Sequence, residues 1–234
     1  MNEANKVSQK VKGRLTLAQI KEYPTPPELY EELMASAGWP YKTKEPKKLQ
    51  SFRARDRALA ALLYLGDFRV SEVLPLTKKQ FTAHEEFIHV KGVQVGKRKA
   101  NNILYRDAML PLKGERVVFT KLILDYLALL GSEDRLFPFS LTKRKYPIKD
   151  SSYKTKDGTI RQRFSVQIVG TKRAWQIVNV LLPSYTQHWL RAFGYNYDYD
   201  HMDHDILAVS DKTKADPQSL QPYLRRRYEK YPVR

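Results

Sequence analysis

Arg69 stands where an apolar run breaks, in LLYLGDFRVSEVLPLT (residues 62–77), and His188 and Arg191 lie three residues apart in HWLR. On a helix, residues at that spacing leave the same face. A guanidinium presents a planar fork to two oxygens of one anion and can stabilise charge that builds up in a transition state. An imidazole moves protons near neutral pH. Two arginines, a histidine and a basic hairpin form a set suited to a phosphodiester. The one dense group of metal-ligand residue types, His201, Asp203, His204 and Asp205 in YDYDHMDHD, reads as a polar interhelix loop, and no metal or cofactor is expected. With no cysteine in the chain, a covalent nucleophile must come from Ser, Thr or Tyr. The basic, aromatic tail SLQPYLRRRYEKYPVR offers Tyr223, Tyr228 and Tyr231, and positive neighbours favour a phenolate. Glu72 reads as a structural partner for an arginine or a helix end.

These residues need elements to hold them. PELYEELMASAG predicts a short helix between Pro27 and Gly38, inside a loosely organised arm and linker over residues 1–50. From Ser51, FRARDRALAALLYL has helical apolar spacing with Gly66 as its C-cap. SEVLPLT reads as a short helix with its N-cap at Ser71 or a close neighbour. EEFIHVKGVQV and NNILYRDAMLPL read as strands joined by GKRKAN. FTKLILDYLALLG is a helix closed by Gly131. The polar stretch 141–170, with Asp157-Gly158 at its middle, predicts an inserted hairpin. TKRAWQIVNVLL resumes helix with Thr171 as cap, and PSYTQHWLRAFG follows as another, opened by Pro183-Ser184. The expectation is a mainly α domain over residues 51–234 with small β-hairpins, an α+β fold.

Charge points to the partner. The chain has 42 Lys and Arg against 25 Asp and Glu, a net charge of +17, and a pI near 9.8. Such a surplus attracts polyanions and makes binding salt-dependent, so nucleic acid is the leading expected partner. Its rivals are ribosome association, an anionic membrane surface or a charge-rich surface suited to high temperature. The resemblance given below narrows it to double-stranded DNA. The longest apolar run is too short to span a bilayer, and MNEANKVSQKVKGR has no apolar core of a secretory signal. An intracellular protein of the cytoplasm or nucleoid, without a membrane partner, is expected.

Read together, these motifs resemble the catalytic domain of the tyrosine recombinases, the integrase family, and in particular its archaeal and viral members. GDFRVSEVLPL is similar to the family's first-arginine motif, HWLRAF to its His-x-x-Arg motif, and LFPFS followed by TKRAWQIV to the approach to that helix. Tyr223 follows Arg191 by 32 residues, the interval at which members place their nucleophile. The resemblance covers roughly residues 53–228. It implies a site-specific recombinase or integrase that cuts and rejoins DNA through a 3′-phosphotyrosyl bond, without metal or ATP, as four protomers on two duplexes. A virus or plasmid is an implied source. The implied catalytic set is Arg69, His188, Arg191, Tyr223 and a hairpin lysine. Lys97 at the mouth of the turn is favoured for that lysine over Lys91, which precedes Gly92. Where members carry Gly-His or Gly-Trp before the tyrosine, this chain has VSDKTKAD. Lys214 fits that place by distance from Tyr223, and Lys212 fits it by the preceding apolar pattern. Pro222 predicts that Tyr223 opens its helix or sits in an extended segment. Lys91, Arg98, Lys99, Arg106, Lys172, Arg173 and Arg225 are read as phosphate-backbone contacts. Two other readings stay open: a type IB topoisomerase-like nicking and religating enzyme, and a non-catalytic DNA-binding relative. Residues 1–50 are too few to supply the DNA-clamping domain that members usually carry.

Overall fold

Two helices come from the N-terminal part of the chain, α1 (Pro26–Ala35) and α2 (Pro46–Leu65). The computed structural model describes residues 23–95, 104–132, 134–185 and 187–228. Thr25 caps α1: its side chain accepts from the Glu28 N–H, and the Glu28 carboxylate accepts from the Thr25 N–H at 2.8 Å. Pro26 fits the first turn, where no N–H is needed. Leu29 and Leu33 of α1 are buried in the main core, so this stretch packs as part of the domain. Each leucine contributes about 1.5–3 kcal/mol of burial. The boundary expected after residue 50 falls inside α2, which starts five residues before Ser51, at Pro46. Exposed Lys47, Lys48 and Gln50-flanking positions hide that first turn from an apolar-spacing criterion.

From Ala58 to Leu65 every residue of α2 is buried, and a helix apolar on all sides belongs at the centre of a domain. Gly66 follows it with φ near −96°, not in the left-handed region. Glycine is needed there for room, because a Cβ would meet the Phe68 ring at 2.1 Å. The short helix α3 (Val70–Val73) comes next, with Arg69, a close neighbour of Ser71, at the N-cap. A 3-10 turn at Lys78–Gln80 leads to β1 (Phe81–Ala83), β2 (Phe87–Gln94) and β3 (Tyr105–Pro111), which form one antiparallel sheet in that order. β2 and β3 match the expected hairpin, and β1 adds an edge strand not foreseen. Helix α4 (Val117–Leu127) ends before Gly131, which instead receives the Asp134 carboxylate on its N–H.

The segment 141–170 forms the expected hairpin, β4 (Lys143–Lys154) with β5 (Ile160–Ile168), turning at Gly158 with φ +85°. Helix α5 (Val169–Leu181) starts directly from β5, two residues before Thr171, which is therefore not its cap. Helix α6 (Gln187–His201) carries HWLR and runs on through all of YDYDH, and the loop is confined to the residues after it. α7 (Ile206–Thr213) is capped by the Asp205 side chain on the Leu207 N–H. α8 (Pro217–Tyr228) holds Tyr223 in its interior, so the helix passes Pro222 instead of starting after it. Tyr195, Tyr199, Val209, Leu220 and Leu224 form a second, smaller core that docks α7 and α8 onto α6, and Tyr223 packs against both cores. The result is mainly helical with two small sheets, the α+β class expected.

Candidate active site

The site is built on the C-terminal end of α2, where backbone carbonyls lack intrahelical partners. Two buried arginines answer them. Arg106 donates from Nη2 to the Gly66 carbonyl at 2.7 Å and to the Asp67 carbonyl at 3.2 Å. Arg116 donates from Nη2 to the carbonyls of Tyr64 and Leu65, each at 3.2 Å. Cations are favourable at a helix C-terminus, and both guanidiniums also lie over aromatic rings, Arg106 over Phe68 and Arg116 over Tyr64. The loop from Gly66 to Arg69 is thereby fixed at its backbone.

Glu72 completes the fixing of Arg69. Its carboxylate accepts from the Arg69 N–H and from Arg69 Nη1, each at 2.9 Å, and it pairs with Arg106 at 3.5 Å. This buried carboxylate is the structural partner expected of it. Arg106, read from sequence as a DNA-surface cation, is corrected here. It is 5% exposed and works as a strut under the Arg69 loop. The alternation of Arg106, Ala108 and Leu110 on the inward face of β3 was the sequence signal for that placement.

Helix α6 brings the second arginine to the same place. Gly194 allows the close approach: a Cβ there would lie 1.9 Å from Asp67 Oδ1 and 2.5 Å from the Tyr64 carbonyl. Arg191, one turn earlier, is 7% exposed and lies over the Tyr195 ring at 4.9 Å. Its Nε has no hydrogen-bond partner, and among the described residues no carboxylate pairs with its guanidinium. Burial pushes the Tyr195 hydroxyl well above the usual range, against the pull of Arg191, Arg106 and Arg69, whose charges all bear on it. Of these three, Arg191 is the one that lies against the Tyr195 ring. The Tyr223 ring meets Tyr195 edge-on at 5.6 Å.

Tyr223 is held from behind. Its backbone carbonyl accepts from the Tyr23 hydroxyl at 2.9 Å and from Asn196 Nδ2 at 3.2 Å. Tyr23 in turn packs edge-on against Phe193 of α6. Nothing in the sequence marked Tyr23, 200 residues away. A single neutral hydrogen bond is worth about 1 kcal/mol, so Tyr23→Phe is expected to slow any step using Tyr223 by roughly 3- to 10-fold. Single-turnover kinetics should show that loss with duplex affinity unchanged. An equal loss of affinity would mean Tyr23 acts on the fold and not on Tyr223.

Behind the Arg69 loop lies a buried charge cluster that the sequence did not disclose. Asp198 pairs with Arg116 at 2.8 Å and with Lys212. Burial raises its carboxyl, but Lys212 and Arg116 outweigh burial and hold it below the usual carboxylate range. Asp67, at φ +51°, is fully buried beside Asp198, and no donor reaches either of its oxygens. Burial first, and the Asp198 charge second, push its carboxyl well above the usual carboxylate range. The native state thus keeps a proton that the unfolded chain releases above about pH 4, and stability contributed by Asp67 falls as pH rises from there toward the native value. Asp67→Asn is expected to remove this slope. In urea melts the stability of the variant relative to wild type should rise as pH increases above about 4. A pH-independent difference would contradict a raised Asp67 carboxyl.

The remaining expected residues distribute as follows. His188 is exposed on the first turn of α6, one turn before Arg191. Lys91 is exposed on β2 at the register shift beside Gly92, which has φ +64°. Lys97, Arg98 and Lys99 lie outside the described residues. Lys212 is engaged with Asp198, while Lys214 is exposed at the C-cap of α7 with φ +51°. Lys172 is exposed on α5, and Arg173 lies 3.9 Å over the Trp39 ring, a second use of a cation for packing. Arg225 is on α8 with its side chain outside the described set. Among the described residues no group of acidic, His or Cys side chains could hold a metal ion, and no helix is long and apolar enough to cross a membrane.

No family model matches the chain, and no curated protein matches it. Among solved structures it is similar to the XerH site-specific recombinase bound to a palindromic difH substrate in a post-cleavage complex. That likeness has 17% identity over 91% of this chain and 50% of that one, with a TM-score of 0.49. The pre-cleavage XerH complex matches with 20% identity over 89% and 51% of the two chains, also at 0.49. The Tn1549 transposon integrase in complex with a circular intermediate DNA matches with 12% identity over 90% and 66%, at 0.41. The chain spans about half the length of the XerH chains.

Proposed function

We propose that the chain is the catalytic domain of a tyrosine recombinase, which cleaves and rejoins double-stranded DNA through a 3′-phosphotyrosyl intermediate. One observation carries this reading. Arg191 is a buried guanidinium without a carboxylate partner among the described residues, beside a tyrosine against which Tyr223 rests. A cation removed from water calls for a counter-charge, and a DNA phosphate supplies one with the planar oxygen pair a guanidinium fits.

In this scheme the Tyr223 oxygen attacks phosphorus while Arg69 and Arg191 bind the non-bridging oxygens and stabilise the charge of the pentacoordinate state. His188 assists removal of the tyrosine proton. The bond from phosphorus to the 5′-oxygen breaks, and that oxygen takes a proton from Lys97, or from Lys91 in its place. Lys214 donates to a non-bridging oxygen where relatives use His or Trp. A 5′-hydroxyl from the partner strand then attacks the phosphotyrosyl bond and restores the tyrosine. Bond energy is conserved throughout, so the cycle needs no nucleotide. Lys91, Arg98, Lys99, Lys172 and Arg225 serve the flanking backbone, and four protomers act on two duplexes.

The test uses a randomised library of nicked suicide duplexes incubated with the full chain and then denatured. A DNA-linked protein band is the expected result. Absence of any adduct across the library removes the enzyme reading. Relaxation of supercoiled plasmid without sequence preference would instead favour a nicking and religating enzyme.

A further inference from the structure

We infer that the β4–β5 hairpin is a second duplex-binding arm, separate from the candidate active site, which lays its arginine face on the DNA backbone. The inference rests on the DNA reading above but not on the chemistry at Tyr223. Residues 143–168 carry eight Lys or Arg against two Asp, a net charge of +6 in 26 residues. The two strands pair only with each other, as a two-stranded sheet, and β5 runs roughly 30 Å. A ribbon of two strands is marginal in water by itself, so one of this length that leaves both faces open is suited to being covered.

The register sorts its residues. Tyr153 pairs with Arg161, and Arg144 with Gln167, so by alternation along β5 the residues Arg144, Tyr153, Arg161 and Arg163 share one face. Arg163 lies 6.0 Å over the Tyr153 ring, in keeping with that assignment. All four side chains are exposed. The opposite face presents Ile160, 74% exposed, and Phe164, 54% exposed. Arginines roughly 7 Å apart along a strand suit a line of phosphates, and a two-stranded ribbon has the dimensions of the major groove. The hairpin's own length is close to one turn of B-form DNA, about 34 Å. Its charge excludes a basic partner and favours a polyanion over a neutral protein surface. The base is rigidly set: β5 passes straight into α5, and a Cβ on Gly170 would meet the Ser140 carbonyl.

The experiment compares duplex binding of the full chain with that of the triple variant Arg144→Ala, Arg161→Ala, Arg163→Ala across a range of KCl, by fluorescence anisotropy. Each lost phosphate contact lowers the slope of log affinity against log salt by about 0.9, so a drop of up to about 2.7 is expected. The matching triple Arg→Lys variant should keep most of the slope, which separates charge from damage to the hairpin. Wild-type slope in the Ala variant overturns the inference while leaving the DNA reading intact. Loss of slope in the Lys variant as well also overturns it. A wild-type chain that binds duplex with no salt dependence overturns both. If Ile160→Ser with Phe164→Ser dissolves an oligomer while the Ala variant keeps its slope, the arm belongs to a protein contact and the inference fails.

Discussion

Tyr223→Phe is expected to abolish the covalent DNA adduct and leave duplex affinity unchanged, whereas Tyr228→Phe should still form the adduct. Loss of a nucleophile in other enzymes costs about 10⁴- to 10⁶-fold, which in a gel assay is complete loss. Two features of the geometry mark Tyr223. Its ring rests on Tyr195, the residue over which Arg191 lies and on which the charges of Arg106 and Arg69 also bear. Its carbonyl is held by Tyr23 and Asn196, so α8 cannot slide along α6 without losing both bonds. An adduct that persists in Tyr223→Phe would move the nucleophile elsewhere. Loss of duplex affinity in the same variant would assign Tyr223 to packing.

Arg191→Ala is expected to reduce single-turnover cleavage by about 10²- to 10³-fold, the usual cost of removing one preorganised donor to a developing negative charge. The same residue makes an opposite prediction for stability. A buried cation without a carboxylate partner is a cost to the fold, and replacing such a group by an apolar one of similar length relieves it. Arg191→Met is therefore expected to unfold at higher urea, by about 1–3 kcal/mol, while being as inactive as the Ala variant. Reduced stability in Arg191→Met would mean that Arg191 has native partners that matter more than a phosphate. Equal activity in Arg191→Lys and wild type would argue against bidentate binding of two oxygens.

How far the sequence discloses this can be followed residue by residue. Helical spacing in FRARDRALAALLYL and alternation in FIHVKGVQV are local, and each places an element on the right part of the chain. The Asp157-Gly158 turn is local as well and places the inserted hairpin. Arg69 and Arg191 stand out because each interrupts an apolar pattern. The approach of their two elements does not, since it depends on Gly194 letting α6 close on the loop after α2. Arg116 is illegible for a related reason, and Arg106 is betrayed only by its place in the alternation of β3: a basic residue in a basic protein reads as surface. Only the unpaired carbonyls at the end of α2 turn them inward. Asp67 and Asp198 are far apart in the chain, and no single-sequence signal pairs two carboxyls across that distance. Pro222 led to an expected helix start that tertiary packing overrode, because Leu220 and Leu224 on either side of it are buried against α6 and α7. Tyr23 carries no local pattern at all, and its contact with Tyr223 exists only in the folded chain.

The claim on which the rest depends is that a tyrosine of α8 becomes joined to DNA. Trypsin and nuclease digestion of the denatured adduct, followed by mass spectrometry of the DNA-linked peptide, tests it directly. The result predicted is a peptide with Tyr223 bonded to the 3′-phosphate of the cleaved strand. A bond to any other residue, or to a 5′-phosphate, would contradict it.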